Sequence, residues 1–357
     1  SSPAGHLSST IAGTLLAFLN DTNASCRDWL LSYIVGFEVC SRVAIAAKPT
    51  AERFAEVWGL GTTQTFGAVA AATKLRKTNT IQTLDALGIA GASAPVPSAQ
   101  KWGWDAKPLT WMKDAVALPA QIGVNATKLA NAGVVGCRDI LDGPKGFWRM
   151  AGSDQCDFDL MTADIGKKYW LIDASYKTYS CCWFIHPALD AIGSIVQTQN
   201  LSWDDVQRID VWSLTDLAEM FADKEPTTMV DAQFSLPYCV AMKLLGIETG
   251  PTWFEESRFS DCDVAAISSC VHIHADKNAD IVFQNEDRRI SARVLVTTNK
   301  GKEFKSVALA PRGSPSIPIS EDEVIQKFLS LAEPILGKKR SGMLKDFILQ
   351  LDSEHPV

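Results

Sequence analysis

The sequence carries none of the short patterns that announce nucleotide or protease chemistry. No phosphate-cradling Walker loop, G-x-G-x-x-G turn, H-E-x-x-H zinc helix or G-x-S-x-G nucleophile turn occurs. Gly59-Leu60-Gly61 lacks the third glycine and follows no strand. Basic charge is also short: the net charge is -7 and the pI about 5.3, which argues against a phosphate-neutralising, nucleic-acid-binding surface. Polar or charged residues interrupt every apolar run before it reaches the length of a membrane span, so no membrane partner is expected. Nine cysteines is an odd number, and none shows zinc-ligand spacing; adjacent Cys181 and Cys182 have no complementary pair. All nine read as reduced thiols, which places the chain in the cytoplasm or in an organelle with a reducing interior. Four N-x-S/T triplets, from Asn20, Asn23, Asn125 and Asn200, follow no secretory signal and read as chance.

Histidine is scarce too, with five in the chain, at positions 6, 186, 272, 274 and 355. His272 and His274 fall on one side of an extended stretch, Val271 to Ala275. A metal pair there competes with two ordinary surface residues, and the second reading is favoured. No metal and no cofactor is expected.

What is present is a globular composition, 46% hydrophobic and 21% charged over 357 residues, enough for one large or two ordinary cores. Apolar residues recur at helical spacing over Ser8–Leu19 and Cys26–Ala47, where Leu30, Ile34, Phe37, Cys40 and Ala44 share a face. Thr63–Ala72 is rich in Gly and Ala, as where helices approach closely. A helix over Ile81–Ile89 has Thr80 as its expected cap, and Lys113–Ala132 is helical again. Trp102, Trp104 and Trp111 surround Lys107 and Pro108, which fits equally a pocket wall or a loop packed on a neighbour.

The texture changes near Lys167. Val206–Trp212, Arg289–Thr297 and Lys302–Val307 read as strands, the last two joined by an Asn299-Lys300-Gly301 hairpin turn. Met229–Leu245 is helical, kinked or started by Pro237, and helical spacing returns over Glu321–Leu331 and Gly342–Leu351. The expected fold is mostly α with an inserted α+β domain. A discontinuous helical bundle covers 1–166 and 315–357, and a smaller, lid-like α+β domain covers 167–314.

Residues 176 to 190, Tyr-Lys-Thr-Tyr-Ser-Cys-Cys-Trp-Phe-Ile-His-Pro-Ala-Leu-Asp, are the densest stretch, and a helix leaves it from Ile185. Lys177 sits among bulky apolar neighbours, where an ammonium could hold a carboxylate with little competing water. On the residues alone, Lys177 snorkelling to the surface with Cys181 and Cys182 packed as small hydrophobes is the stronger reading.

The stretch resembles the "K-x-Y-x-C-C…H-P-A-x-D" signature of the MmgE/PrpD family, which includes 2-methylcitrate dehydratase, cis-aconitate decarboxylase and iminodisuccinate epimerase. Gly36-Phe37-Glu38-Val39 resembles its "G-Y/F-E-V" and Ala86-Leu87-Gly88-Ile89-Ala90 its "A-L-G-I-A". Residues 232 to 238 resemble "A-Q-F-S-L-P-Y". Pro311-Arg312-Gly313-Ser314-Pro315, with Lys327-Phe328, resembles the closing "G-S-P…K-F".

The resemblance implies a lyase, of dehydratase or decarboxylase type, that transfers a proton next to a carboxylate or carbonyl of a small organic acid. An isomerase, epimerase or cyclase on a less charged metabolite is the alternative, as is a catalytically silent binding or scaffolding relative. It implies catalytic roles for His6 as base, for Lys113 and for Tyr238 as proton donor. Lys177 would be the carboxylate clamp, with Trp111 and Tyr176 beside the substrate, and His6, Lys113, Lys177 and Tyr238 would converge on one cleft. A homodimer is implied as well. The sequence departs from the family at the second site histidine, which falls on Trp58 or Gly59, and Val116 and Leu118 replace the histidine and glycine of "K-R-x-x-H-x-G". The family's N-terminal "D-D-x-H"-type portion has no counterpart before Ser1.

Overall fold

The computed structural model describes residues 5–57, 61–95, 105–109, 116–285 and 289–352, apart from the side chains of Ala51 and Ala55. The chain divides into two compact units. One comprises Ser1–Ala106, Thr110–Ala174 and Gly342–Val357; the other comprises Lys107–Leu109 and Ser175–Ser341. The sequence had placed the divisions at 166/167 and 314/315. They fall instead at Ala174/Ser175 and Ser341/Gly342, so most of the C-terminal helical segment belongs with the strands.

The first unit is helical. Its helices are α1 (Leu7–Leu16), α2 (Cys26–Ala46), α3 (Ala51–Glu56), α4 (Gly61–Leu75), α5 (Thr80–Ser93), α6 (Ala117–Asn131), α7 (Phe147–Met150) and α8 (Phe158–Thr162). Helix α2 starts where its capping box dictates: Ser25 accepts from the Asp28 N–H at 3.1 Å, and Asp28 accepts from the Ser25 N–H at 3.3 Å. The cap of α5 is Asn79 rather than Thr80, because the Asn79 side chain accepts the Gln82 N–H and leaves Thr80 as the first helical residue.

The core joins Leu7, Ile11 and Leu15 of α1 to Phe37 and Cys40 of α2 and Ala71, Ala72 and Leu75 of α4. Helices α2 and α4 cross where both lack a side chain. A Cβ on Gly67 would lie 2.7 Å from Cys40 Cβ and 2.8 Å from the Gly36 carbonyl oxygen. On the other side of α4, a Cβ on Gly123 would meet Ala68 Cβ at 2.4 Å. The small residues of α4 are therefore spent inside the unit.

Glu38, the carboxylate of the "G-Y/F-E-V" match, is a structural tie. It accepts the Leu171 N–H at 3.0 Å, while Arg42 one turn on donates to the carbonyls of Ala163 and Lys168. Helix α2 is long and apolar enough to cross a membrane by length and composition alone, contrary to the expectation above, but half of it is buried.

In the second unit α9 (His186–Gln199) leads into β1 (Val206–Ser213), α10 (Thr215–Met220), α11 (Met229–Gln233) and α12 (Leu236–Leu244). Then follow α13 (Cys262–Ser269), β2 (Val271–Ala275), α14 (Lys277–Asn285), β3 (Ala292–Thr298), β4 (Glu303–Ala308) and α15 (Glu321–Ile348), whose last turns, from Gly342, belong to the first unit. The four strands form one mixed sheet in the order β2-β1-β3-β4, with β1 parallel to β2 and the other pairs antiparallel. Ile209 and Val211 of β1 are wholly buried, and α9 packs against β3 and β4. The hairpin turn is as expected: Gly301 takes φ +71° and donates to the Thr298 carbonyl.

The expected Met229–Leu245 helix is two helices. Ser235 interrupts it and caps the second by accepting the Tyr238 N–H at 3.0 Å, which places Pro237 in the first turn, where its missing N–H costs nothing. Helix α15 is broken at Gly337, with φ +74°. All nine cysteines are free thiols.

The α2–α4 crossing sets a test. Gly67→Ala should destabilise the protein by ~1–3 kcal/mol, because neither neighbour is a flexible side-chain end. Gly342→Ala, whose added methyl meets nothing within 4 Å, should be neutral or slightly stabilising. Urea unfolding midpoints of the two variants check this; equal midpoints would contradict the close packing.

Candidate active site

The stretch from Tyr176 to Asp190 is held by segments distant in sequence. The Tyr176 N–H donates to the Gly313 carbonyl at 2.8 Å. Gly313 takes φ +91°, and a Cβ there would fall 2.1 Å from the Tyr176 carbonyl oxygen, so no other residue fits the contact. The Cys182 N–H donates to the Gln233 carbonyl at 2.8 Å, and the Ser180 N–H to Thr249 Oγ1 at 3.1 Å. Asp190, one turn into α9, accepts from the Tyr179 hydroxyl at 3.0 Å and from the Arg312 N–H at 2.9 Å. Three stretches singled out in the sequence, 176–190, 232–238 and 311–315, thus meet in the second unit.

Inside this frame lies an aromatic and thiol cluster. His186 is fully buried, with Tyr179 edge-on at 5.2 Å and Trp183 at 4.8 Å, and its Nδ1 lies 3.5 Å from Thr178 Oγ1. Tyr179 also stacks on Trp253 at 6.3 Å, and the Lys243 ammonium sits 5.1 Å over its ring. Burial raises the Tyr179 hydroxyl far above its ordinary range, with Asp190 adding to the shift. Cys181 and Cys239 are buried together. Burial alone would raise Cys181, but a hydrogen bond from Cys239 and the nearness of His186 and Lys177 outweigh it, and the net shift is downward. Cys239 moves up, from burial first and from Cys181 second.

Cations gather around the same frame. Lys177 is half-buried, and its carbonyl accepts from the Lys327 ammonium. Desolvation lowers Lys243, opposed by Asp190 and assisted by Arg312. Among the described residues neither Lys177 nor Lys243 forms an ion pair with a carboxylate. This arrangement can hold an anion.

The sequence-derived site residues fall in several places. Tyr176 and Lys177 lie in this frame, Tyr176 largely exposed. Tyr238 is 1% exposed; its hydroxyl donates to the Trp253 carbonyl, its ring stacks on Phe259, and burial pushes its hydroxyl up. It touches the frame through Trp253, which faces Tyr179. His6 lies in the first unit, half-buried at the start of α1. On that helix the buried Thr10 hydroxyl is 2.6 Å from Gln64 Oε1 and 2.9 Å from the carbonyl of Val116, one of the departures noted above. Trp111, Lys113, Trp58 and Gly59 lie outside the described residues. Sequence reasoning assigned no role to Asp190, Lys243, Arg312 or Lys327, although Asp190 and Lys327 stand in the quoted motifs.

Of the two histidines on β2, His274 hydrogen-bonds a carboxylate that is already ion-paired. His274 Nε2 is 2.6 Å from Asp210 Oδ1, and Arg208 holds both oxygens of Asp210 at 2.7 Å, which leaves the carboxylate committed. Asp261, Cys262 and Asp263 bring three ligand atoms within 4.8 Å, but two of the three residues are exposed, and Asp261 already caps α13 and pairs with Arg258. A cavity of about 450 Å³ in the second unit is lined by Lys107, Asp223, Glu225 and Asp231 among others. Its acidic wall suits an acid substrate poorly, Lys107 is already 3.2 Å from Asp223, and no residue of the Tyr176–Asp190 frame lines it.

Asp190→Ala should cost ~1–3 kcal/mol, because it strands the buried Tyr179 hydroxyl without an acceptor. Tyr179→Phe, which strands no buried donor, should cost less. Chemical denaturation of both variants gives the comparison, and the reverse order would refute the assigned bond.

Comparison with known proteins places the chain among its relatives. Residues 1–159 match the MmgE/PrpD N-terminal domain, and residues 179–353 match the MmgE/PrpD C-terminal domain. The cis-aconitate decarboxylase-like protein oryM of Aspergillus oryzae is 24% identical over 348 residues, covering 92% of this chain and 69% of that protein. With matches that begin at the first residue and together span nearly its whole length, the chain belongs to the MmgE/PrpD family.

Proposed function

We propose that this protein is a lyase of the dehydratase or decarboxylase type, acting by proton transfer at a carbon next to a carboxylate of a small organic acid. The observation that carries this reading is the half-buried Lys177, fixed by three motif segments and left without a carboxylate of its own. A half-buried ammonium with no carboxylate beside it can pair with an anion, and partial burial strengthens that pairing. The likeness to a cis-aconitate decarboxylase-like protein of Aspergillus oryzae supports a tricarboxylic acid, with cis-aconitate the first candidate.

In this proposal Lys177 clamps a substrate carboxylate, with Tyr176 beside it, and stabilises charge that develops on the neighbouring carbon. His6 is the proposed base, since an imidazole is the side chain best matched to proton abstraction near neutral pH. Lys113 and Trp111 are proposed to bind or protonate the substrate by family position alone. Tyr238 donates to Trp253 in the conformation observed, so any role as proton donor requires that bond to exchange first.

Incubation with cis-aconitate, citrate and related acids in deuterated water, followed by NMR, tests the reading directly. Deuterium entering a carbon position or release of carbon dioxide is the expected result. Lys177→Ala should remove ~2–4 kcal/mol of transition-state stabilisation, and His6→Ala should lower kcat more than it raises KM. Full activity in both variants would end the proposal.

We also propose that the protein is a homodimer. Met343, Leu344, Phe347, Ile348 and Leu349 are all more than a third exposed at the end of α15, an apolar concentration that a monomer would leave in water. Light scattering at micromolar concentration should give twice the chain mass of 38.8 kDa.

A further inference from the structure

Helix α15 approaches the Lys177 segment through two side chains one turn apart. Glu323 and Lys327 stand at i and i+4, the spacing at which an acid and a base on an exposed helix ordinarily pair with each other. Here they do not. Glu323 forms its ion pair with the Arg312 guanidinium, and Lys327 donates to the Lys177 main-chain carbonyl across 150 residues of sequence. Arg312 in turn donates its N–H to Asp190, and its neighbour Gly313 accepts the Tyr176 N–H. Both side chains of α15 therefore end on the two strips of chain that frame Lys177.

Solvent-exposed ion pairs contribute little to folding stability. The Arg312–Glu323 pair is 48% and 41% exposed, so its consequence lies in where it holds the chain rather than in how strongly it holds the fold. Lys327 is different in kind. Its ammonium is spent on a carbonyl rather than on a carboxylate, and desolvation together with the Lys177 charge lowers its pKa. The hydrogen bond to the Lys177 carbonyl brings the two like charges near enough to repel each other. Their repulsion is relieved when an anion binds.

We propose that Glu323 and Lys327 are positioning residues for the anion site: they latch α15 onto the Lys177 segment, and Lys327 adds a second positive charge beside Lys177. The proposal rests on the reading of Lys177 as a carboxylate clamp. A lysine with a lowered pKa loses its proton at lower pH than an ordinary lysine. Anion binding that depends on Lys327 therefore fades earlier as pH rises, and a guanidinium in its place stays charged through that range.

The test uses the full chain and the variants Lys327→Ala, Lys327→Arg and Glu323→Ala, each checked by thermal melting. Hydrogen exchange of the amides from 176 to 182 is the first readout and needs no ligand. Lys327→Ala should exchange there on the order of tenfold faster than the parent protein, with Lys327→Arg restoring protection, as expected for loss of one charge-assisted hydrogen bond. The second readout is binding of cis-aconitate by calorimetry against pH. Lys327→Ala should weaken it about tenfold at neutral pH, and Lys327→Arg should carry binding to higher pH than the parent. Unchanged exchange over 176–182 in both Lys327→Ala and Glu323→Ala overturns the latch. Should the parent protein bind no polycarboxylate at all, the carboxylate-clamp reading fails, while the exchange result still decides whether Glu323 and Lys327 hold the segment.

Discussion

The carboxylate of Asp190 is the joint on which the second unit's candidate site depends. One oxygen accepts the Tyr179 hydroxyl and the other the Arg312 N–H, so a single side chain on α9 fixes both strips that surround Lys177. The bond to Tyr179 cannot be traded for water, because that ring is buried against His186 and Trp253. A buried hydroxyl without an acceptor costs about 1–3 kcal/mol, so the chain is held in the one arrangement that satisfies it. From this joint follow the placement of Gly313 against Tyr176 and of Arg312 against Glu323.

The first unit depends on a different constraint, the absence of side chains where helices cross. Gly36 and Gly67 let α2 and α4 meet backbone to backbone, and Gly123 does the same for α6. Dispersion between closely approaching helices grows steeply as the gap closes, so a few absent methyl groups organise a large share of the packing. The stretches that carry the family resemblance accordingly divide by role. Gly36-Phe37-Glu38-Val39 is packing and a backbone tie, whereas Tyr176–Asp190 and Arg312-Gly313 build the site frame.

How much was legible beforehand follows from range. Features set by neighbours in sequence were readable: the helical period of α2, the hairpin turn at Gly301, the strand at β1. Asn79 and Ser235 show the limit of that reading, since each competes with an adjacent residue for the cap and geometry decides by one or two positions. The division between units was misplaced because helical period says that a segment is a helix and nothing of what it packs on. Lys327 lies 150 residues from the carbonyl it serves, and no periodicity connects them. Tyr238 could be recognised by its motif, but that its hydroxyl is committed to Trp253 depends on a chain segment 15 residues away.

The cations around Lys177 are the clearest sign that this frame is built for something other than stability. Lys243 rests over the Tyr179 ring with its charge partly desolvated, and Lys327 feels the Lys177 charge. A fold selected for stability alone would supply a carboxylate at that point, or replace one of the lysines. Asp190 is near enough to favour the charged form of Lys243, yet its oxygens are given to Tyr179 and Arg312. On the proposed reading, a bound anion would relieve the repulsion between Lys177 and Lys327 and draw part of its binding free energy from it.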